Sequence, residues 1–423
     1  MSDIFEELQW RGLVAQTTDE GQLRAALNGG PITAYCGFDP TAPSLHFGNL
    51  VQLVMLRHLQ RAGHRIIVLV GGSTGLIGDP KPTSERVLKT REQTAANVAR
   101  IKELVHPFVD FEGDNPAMLV DNLDWTAPLS ALDFLRDIGQ HFRVNQMIRK
   151  EAVAARLQSE AGISYTEFSY QILQALDFLH LFREHQCILQ TGGQDQWGNL
   201  TAGVDLVHRV EGATVHAMTT PLLTDENGQK YGKSEGNAIW LSADMTSPYA
   251  FYQYWINVAD SEVSKLLKVF TLRTREEIEE LERATAERPH LREAHRVLAS
   301  DVTTLVHGAE ATAQVEAASR VLFGKGEPAQ IDARTLADAT AELPGGPVPV
   351  GATIVDALVA TGVAESKGAA RRLVGEGGVS VNNVKVSDAE QQLSEQDFLH
   401  GSIALLRRGR KHLVAARRAP AGR

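Results

Sequence analysis

Tyr35-Cys36-Gly37-Phe38-Asp39-Pro40-Thr41, running into Leu45-His46-Phe47-Gly48-Asn49, is the stretch on which the fold turns. Pro31-Ile32-Thr33-Ala34 before it reads as a strand. Leu50 to Ala62 after it reads as a helix, with apolar residues at Leu50, Leu53, Val54, Leu56 and Leu59. The stretch is therefore a strand-to-helix turn. Unpaired N–H groups and partial positive charge at such a helix start make an anion site. His46 and Asn49 lie about one helical turn apart there, and Gly48 between them lets a ligand approach the backbone closely.

Working outward, strands and helices alternate. Residues 3–28 read as helical. His64-Arg65-Ile66-Ile67-Val68-Leu69-Val70 is a near-continuous apolar run, the pattern of a parallel strand buried on both faces. It opens into a second glycine-dense loop, Gly71 to Pro80, at a strand end where open α/β sheets bind ligands. Residues 84–105 and 166–184 read as helices and 118–122 as a short strand. Residues 128–160 read as mainly helical and polar, with basic Arg143, Arg149 and Lys150. Cys187-Ile188-Leu189-Gln190 is a strand ending in a third such loop, Thr191 to Gly198, and Val215-His216-Ala217-Met218 is another strand. This order predicts an α/β domain on a mostly parallel sheet. Three glycine-rich loops at one sheet edge favour a nucleotide-sized site.

The remainder divides by composition. Residues 248–323 are helix-rich and show no strand signal. Residues 324–350, rich in Gly, Pro and Ala, read as a linker. Residues 351–423 read as a small α+β module with helices at 353–361 and 366–375 and strands at 379–386 and 402–406. The expected division is thus 1–223 for the sheet domain (with a connective insertion around 110–165), 224–247 for a mobile loop and link, 248–323 helical, 324–350 linker, and 351–423 the terminal module.

At 423 residues, 43% hydrophobic and 22% charged, the composition is that of a globular protein with room for two or three domains. Two cysteines, Cys36 and Cys187, make no disulfide framework, and no Cys/His group has zinc spacing. No run approaches the roughly 18 apolar residues of a membrane span, and the acidic N-terminus carries no secretory pattern, so a reducing cytoplasm is expected. The net charge of −10 is uneven. Residues 351–423 hold 11 Lys/Arg against 7 Asp/Glu, which leaves −14 on the rest. A basic tail on an acidic body suggests a local polyanion contact.

Two further patterns carry chemistry. Lys230-Tyr231-Gly232-Lys233-Ser234 places two lysines three apart around a glycine. Alone it fits a solvated surface loop; beside His46 at a helix start it fits a phosphate clamp. Tyr170, Gln174 and Asp177 fall at i, i+4 and i+7 on one helix face among Ile172, Leu173, Leu176 and Phe178. Such a polar face buried among apolar residues points to a ligand pocket. Cys36 fits either that site or a small apolar filler beside the strand, and Cys187 fits the core.

His46-Phe47-Gly48-Asn49 resembles the His-Ile-Gly-His signature of class I aminoacyl-tRNA synthetases, and Lys230 to Ser234 resembles their Lys-Met-Ser-Lys-Ser signature. With Tyr35 to Thr41, Tyr170 to Asp177 and Gly192 to Asn199, essentially the whole chain is similar to the bacterial tyrosyl-tRNA synthetases. The resemblance implies a Rossmann-like catalytic domain, an α-helical domain at the anticodon region and an S4-like RNA-binding module. It implies the activation of tyrosine by ATP and transfer of the tyrosyl group to the terminal adenosine of tRNA(Tyr), in a cytoplasmic homodimer, with Mg²⁺ accompanying ATP and no other cofactor or protein metal cage.

By the same resemblance, Thr41, His46, Asn49, Lys230, Lys233 and Ser234 form the catalytic set. Tyr35, Asp79, Tyr170, Gln174, Asp177 and Gln196 bind tyrosine. Cys36, Gly37, Asp39, Gly48, Arg86, Gly193, Asp195, Leu223 and Lys233 surround ATP. Arg143, Lys150, Lys367, Arg371, Arg372, Arg407, Arg408 and Arg410 face RNA. The chain departs from the family pattern at Asn49, which replaces the second signature His, and between Asp79 and Arg86, where it is one residue shorter. A tryptophan-specific relative and a non-catalytic RNA-binding relative are the competing readings. Asp177 with Tyr35 argues against the first, and intact Thr41, His46, Lys230 and Lys233 argue against the second.

Overall fold

The computed structural model describes residues 3–81, 84–160, 162–224, 231, 233–234, 237–409 and 412–420. Its contacts divide the chain into two compact units, 1–246 with 258–298, and 247–257 with 299–423.

The first unit is built on a six-stranded sheet. In chain order its strands are β1 (Gln16–Thr17), β2 (Thr33–Phe38), β3 (Arg65–Val70), β4 (Met118–Asp121), β5 (Cys187–Gly193) and β6 (His216–Thr220). Their order across the sheet is β1-β6-β5-β2-β3-β4, and every pairing is parallel except β1 with β6. From β2 the chain builds outward through β3 and β4, then returns to the other side of β2 with β5. The carboxyl ends of β5, β2 and β3, which carry the three glycine-rich loops, therefore lie side by side at the reversal of strand order.

The first helices are α1 (Ile4–Trp10), α2 (Glu20–Asn28) and α3 (Phe47–Arg61). In α3, Leu50, Leu53, Val54, Met55, Leu56 and Leu59 are wholly buried. Next come α4 (Arg91–Leu104), α5 (Tyr165–His185) and α6 (Trp197–Glu211). α5 and α6 pack with Ile67, Leu69, Phe178, Leu179, Leu206 and Val207 in one apolar cluster that also holds Tyr35.

Three expectations about this unit change. Residues 3–28 form two helices rather than one, because Gly12 (φ 74°) turns the chain and β1 joins the sheet edge before Asp19 caps α2. The helix expected from residue 84 begins at Arg91, where Thr90 and Gln93 form a capping box. Residues 128–160, expected to be mainly helical, are so only in short pieces, among them a π turn at Phe134–Ile138 and the helix Glu151–Leu157. Past the sheet, β7 (Lys233–Ser234) and β8 (Asn237–Ala238) form a hairpin, and Lys230 lies outside the described residues.

Helices α7 (Pro248–Ile256), α8 (Val263–Phe270), α9 (Arg275–Glu287) and α10 (Glu293–Leu322, bent where Gly308 leaves helical geometry) account for the strandless stretch. Residues 258–298 pack with the sheet unit, while 247–257 and the rest of α10 pack with the C-terminal part.

In the second unit the supposed linker is ordered structure. It contains α11 (Ala333–Thr340) and β9 (Gly345–Val348), ahead of α12 (Ile354–Ala360) and α13 (Lys367–Gly375). Strands β10 (Val379–Val381), β11 (Val384–Lys385), β12 (Ile403–Arg408) and β13 (His412–Arg418) complete a sheet of order β11-β10-β12-β13-β9. Glycine there serves close packing: a Cβ on Gly345 would collide with the Ala415 carbonyl oxygen. α11 contributes Leu336 and Ala339 to a cluster with Val321, Leu399, Ile403, Leu405 and Ala415.

Candidate active site

The turn from β2 to α3 fixes the first group. His46 is the N-cap of α3 in extended geometry, and its Nδ1 accepts the Gly48 N–H at 3.0 Å. Asn49 returns the bond, its Oδ1 accepting the His46 N–H at 3.1 Å. This reciprocal capping box explains an Asn at that position in local terms. Desolvation pulls the His46 pKa below its ordinary value although the residue is exposed, which favours the neutral ring, and the ring lies edge-on to Trp240. Because Nδ1 is an acceptor, the proton sits on Nε2, leaving that nitrogen as a donor. Thr41 is exposed nearby, its N–H bonded to the Asp39 carbonyl at 2.8 Å.

Deeper in the crevice, α5 presents the expected face. Asp177 is 3% exposed, and it accepts from Asn122 Nδ2 at 2.9 Å and from Trp125 Nε1 at 3.0 Å. Burial pushes its carboxyl up to about 7, against the pull of these two donors. Tyr35 on β2 is 2% exposed, and its Oη is buried without a hydrogen-bond partner. The Tyr35 phenol is pushed upward by burial first and then by the Asp177 charge. Tyr170 Oη donates to Asp39 Oδ2 at 2.8 Å, and Thr74 Oγ1 donates to Asp39 Oδ1 at 2.6 Å. Burial lifts the Asp39 carboxyl to about 6. Gln174 Oε1 is a second buried acceptor without a partner.

Asp79 forms the third cluster. Oδ1 accepts from Lys150 Nζ at 2.9 Å and from Asn199 Nδ2 at 3.2 Å, and Oδ2 accepts from Gln196 Nε2 at 3.0 Å. Arg86 Nε donates to the Asp79 carbonyl at 2.7 Å. On the β5 side, Gly193 gives the chain room: a Cβ there would lie 2.6 Å from Asp195 Oδ1. Cys36 lies 3.7 Å from Gln52 Oε1, and burial pushes its thiol up to about 12, so it is a neutral wall of the site. The Leu223 carbonyl accepts the Tyr231 N–H at 3.0 Å, and the Tyr231 ring stacks on Phe47 beside His46. That contact ties one end of the second signature to the first.

The family "tRNA synthetases class I (W and Y)" matches residues 27–324, and the tyrosine–tRNA ligase SYY-like C-terminal domain matches 336–415. A tyrosine–tRNA ligase of Streptomyces avermitilis is 58% identical over 416 residues, 98% of this chain and 99% of that protein. The chain belongs to the tyrosine–tRNA ligase family. One of Leifsonia xyli subsp. xyli is 59% identical over 413 residues, covering 97% and 93%. The C-terminally truncated mitochondrial tyrosyl-tRNA synthetase of Coccidioides posadasii superposes with a TM-score of 0.67 at 31% identity, covering 74% of this chain and 91% of that one.

Four residues at this enzyme's crevice escaped the sequence reading: Thr74, Asn122, Trp125 and Asn199. Asn122 and Trp125 had a usable signal, a polar pair just past a strand at the ligand-binding edge of a parallel sheet. Lys150, expected on an RNA face, instead reaches inward to Asp79 with its side chain 10% exposed. Arg407, expected likewise, is 6% exposed and donates to the carbonyls of Val321 and Leu322 at the end of α10. Arg143, Lys367, Arg371, Arg372 and Arg408 are exposed, with Lys367 paired to Asp356 and Arg371 to Glu390. Arg410 lies outside the described residues.

Proposed function

We propose that this tyrosine–tRNA ligase selects its amino acid by the phenol and activates it by electrostatic stabilisation. The observation that carries the reading is the buried Tyr35 hydroxyl without a partner beside a buried Asp177 held by Asn122 and Trp125. Leaving such groups unpaired costs about 1–3 kcal/mol each, which a phenol relieves and a phenyl ring does not. The substrate phenol donates to Asp177 and accepts from Tyr35. Asp79, Tyr170, Gln174 and Gln196 surround the ammonium and carboxylate.

The tyrosine carboxylate, already ionised at pH 7, attacks the α-phosphorus of ATP. The bond from that phosphorus to the bridging oxygen breaks, and pyrophosphate leaves with the Mg²⁺ that came with ATP. No general base is needed, so the barrier is charge on the phosphates. His46 Nε2–H, the Thr41 hydroxyl, Arg86, Lys230 and Lys233 supply donors and positive charge there, with Ser234 as a further donor. Cys36, Gly37, Asp39, Gly48, Asn49, Gly193, Asp195 and the Leu223 backbone cradle the nucleoside. In the second step a ribose hydroxyl of the terminal adenosine attacks the tyrosyl carbonyl and AMP leaves.

Arg143, Lys367, Arg371, Arg372, Arg408 and Arg410 form the RNA face in this reading. A homodimer is supported by the exposed apolar residues Leu132, Leu135, Val144 and Ile148, which water disfavours. Cytoplasmic placement fits these substrates; no helix among the described residues is long and apolar enough to cross a membrane.

The test is ATP–pyrophosphate exchange without tRNA, offering tyrosine, phenylalanine and tryptophan separately. Exchange with tyrosine alone is expected. Exchange with tryptophan would refute the phenol pocket, and exchange with none would refute the catalytic reading.

A further inference from the structure

A buried ion pair stands apart from the contacts used above. Arg156, in the short helix Glu151–Leu157, and Glu167, in the first turn of α5, are each 1% exposed. Arg156 Nη2 lies 3.0 Å from Glu167 Oε2. A pair this deep is a poor source of stability, because desolvating both charges offsets most of their attraction. Its local effect is to hold a loop. Arg156 Nη1 donates to the Ser84 carbonyl at 2.7 Å and to the Lys81 carbonyl at 3.4 Å, and Nε donates to the Gly162 carbonyl at 2.9 Å. Glu167 Oε1 accepts the Arg86 backbone N–H at 3.0 Å. The described residues between Asp79 and Thr90 belong to no helix or strand, so side chains take over the bonds a ladder would supply.

Arg86 is the residue so held. Its side chain folds over Gly78, where an added Cβ would lie 3.2 Å from Arg86 Cγ, and its Nε bonds the Asp79 carbonyl at 2.7 Å. Its charge acts on Asp39 in the crevice, opposing the upward push of burial there. Glu167 also shares the face of α5 that carries Tyr170, Gln174 and Asp177, a span of about 15 Å along the helix. One helix thus holds the loop of Arg86 at its start and the phenol acceptor ten residues on.

We propose that the Arg156–Glu167 pair is the positioning device for Arg86, setting its guanidinium toward the triphosphate of ATP. The proposal rests on the phosphate reading of Arg86 given above. The pair acts through the main chain: Glu167 fixes the Arg86 N–H and Arg156 fixes the carbonyls before it.

The test uses the full-length enzyme in tyrosine-dependent pyrophosphate exchange, with tyrosine affinity measured separately by equilibrium dialysis. The charge-free double variant R156M/E167M leaves no orphaned charge. It is expected to lose on the order of tenfold in kcat/KM for ATP, since slight misplacement of a positioned group is costly. Its tyrosine Kd is expected to stay within about twofold, which also reports that α5 is folded. R156M/E167Q keeps an oxygen for the Arg86 N–H and is expected to recover part of the loss. On an Arg86→Ala background the double change is expected to add nothing, because the pair acts through Arg86.

If Arg86→Ala alone leaves the ATP parameters unchanged, the phosphate reading of Arg86 fails and the proposal falls with it. If Arg86→Ala costs activity but the double change costs none, or adds its full loss on that background, only the positioning role is overturned. Equal losses in R156M/E167M and R156M/E167Q would overturn the Glu167 bond as the device. Lost tyrosine binding in the double variant would mean that the pair supports the helix rather than the loop.

Discussion

Asp177 is where burial and charge meet in a single side chain, the one on which the proposed selection of the phenol rests. Its carboxyl titrates at about 7 and that of Asp39 at about 6, against an ordinary 3.8. The folded state therefore holds protons that the unfolded chain releases between about pH 4 and 7, so stability falls as pH rises through that window. Asp177→Asn removes one of the two groups. Its melting temperature relative to the parent is expected to climb between pH 4 and 8, as followed by circular dichroism. A difference constant with pH would show that the carboxyl is not held up. Tyrosine affinity of the parent is expected to rise with pH through about 7, where the carboxylate gains its capacity to accept the phenol proton. In the variant only a step near 6 is expected to persist. His46→Asn separates capping from catalysis. Asn is among the best N-caps, so the melting temperature should hold, while the lost Nε2 donor should lower the exchange rate about 100-fold. An equal loss in tyrosine binding would contradict a transition-state role. The Tyr170, Gln174 and Asp177 face was legible from helical periodicity alone. Asn122 and Trp125 are legible only as polar residues just past a strand; that they meet Asp177 is decided across the folded crevice.

At the scale of elements, the best-read pieces were those whose signal is local. β3, α3 and α5 lie where their apolar periods put them, to within about three residues, whereas β2 continues four residues past Ala34, through Phe38, because β3 and β5 pair with it on both sides. The misread pieces take their structure from partners. β1 is two residues long and exists because β6 is beside it; β9 exists because β13 accepts a glycine backbone at close range. Arg11 shows the same dependence. It is 4% exposed, and its guanidinium donates to the carbonyls of Lys268, Thr271 and Arg273 around the end of α8, while Nε bonds Glu7 at 2.8 Å. Nothing in the sequence near Arg11 announces those three acceptors. Arg11→Met is expected to cost about 2–4 kcal/mol in urea denaturation, the loss of charge-assisted bonds to buried carbonyls. Pyrophosphate exchange at 25 °C should stay within about twofold. A change confined to exchange would place Arg11 in the site instead.

Over the whole molecule, charge is unevenly divided: a net of +4 on residues 351–423 and −14 elsewhere. An acidic body repels RNA in general, so the RNA contact should be local and salt-sensitive. Raising the salt concentration is expected to raise the KM for tRNA steeply and to leave tyrosine-dependent exchange nearly flat. Arg372→Ala, on the exposed face of α13, should reduce the slope of log KM against log salt by roughly one if it meets a phosphate. An unchanged slope would remove it from the RNA face. The same scale shows why the boundary at 350 was misplaced. α11 is short, yet it closes the apolar cluster of Val321, Leu336, Leu405 and Ala415, while β9 pairs with β13 and its Val348 enters the core of α12 and α13.

The sequence by itself determined the parallel sheet, the convergence of its glycine-rich loops, the two signatures and the polar face of α5. The strands, the signatures and the polar face are written in periods and spacings shorter than one helix, and the loops converge because parallel strands share one carboxyl edge. Tertiary structure alone decided that Lys150 turns inward to Asp79, that Arg407 ends α10 rather than facing RNA, and that Arg156 and Glu167 hold the Arg86 loop. A long cationic side chain reads the same in sequence wherever it points. Its role is set by which carboxylates and orphaned carbonyls the fold brings within reach, because a buried charge must find them.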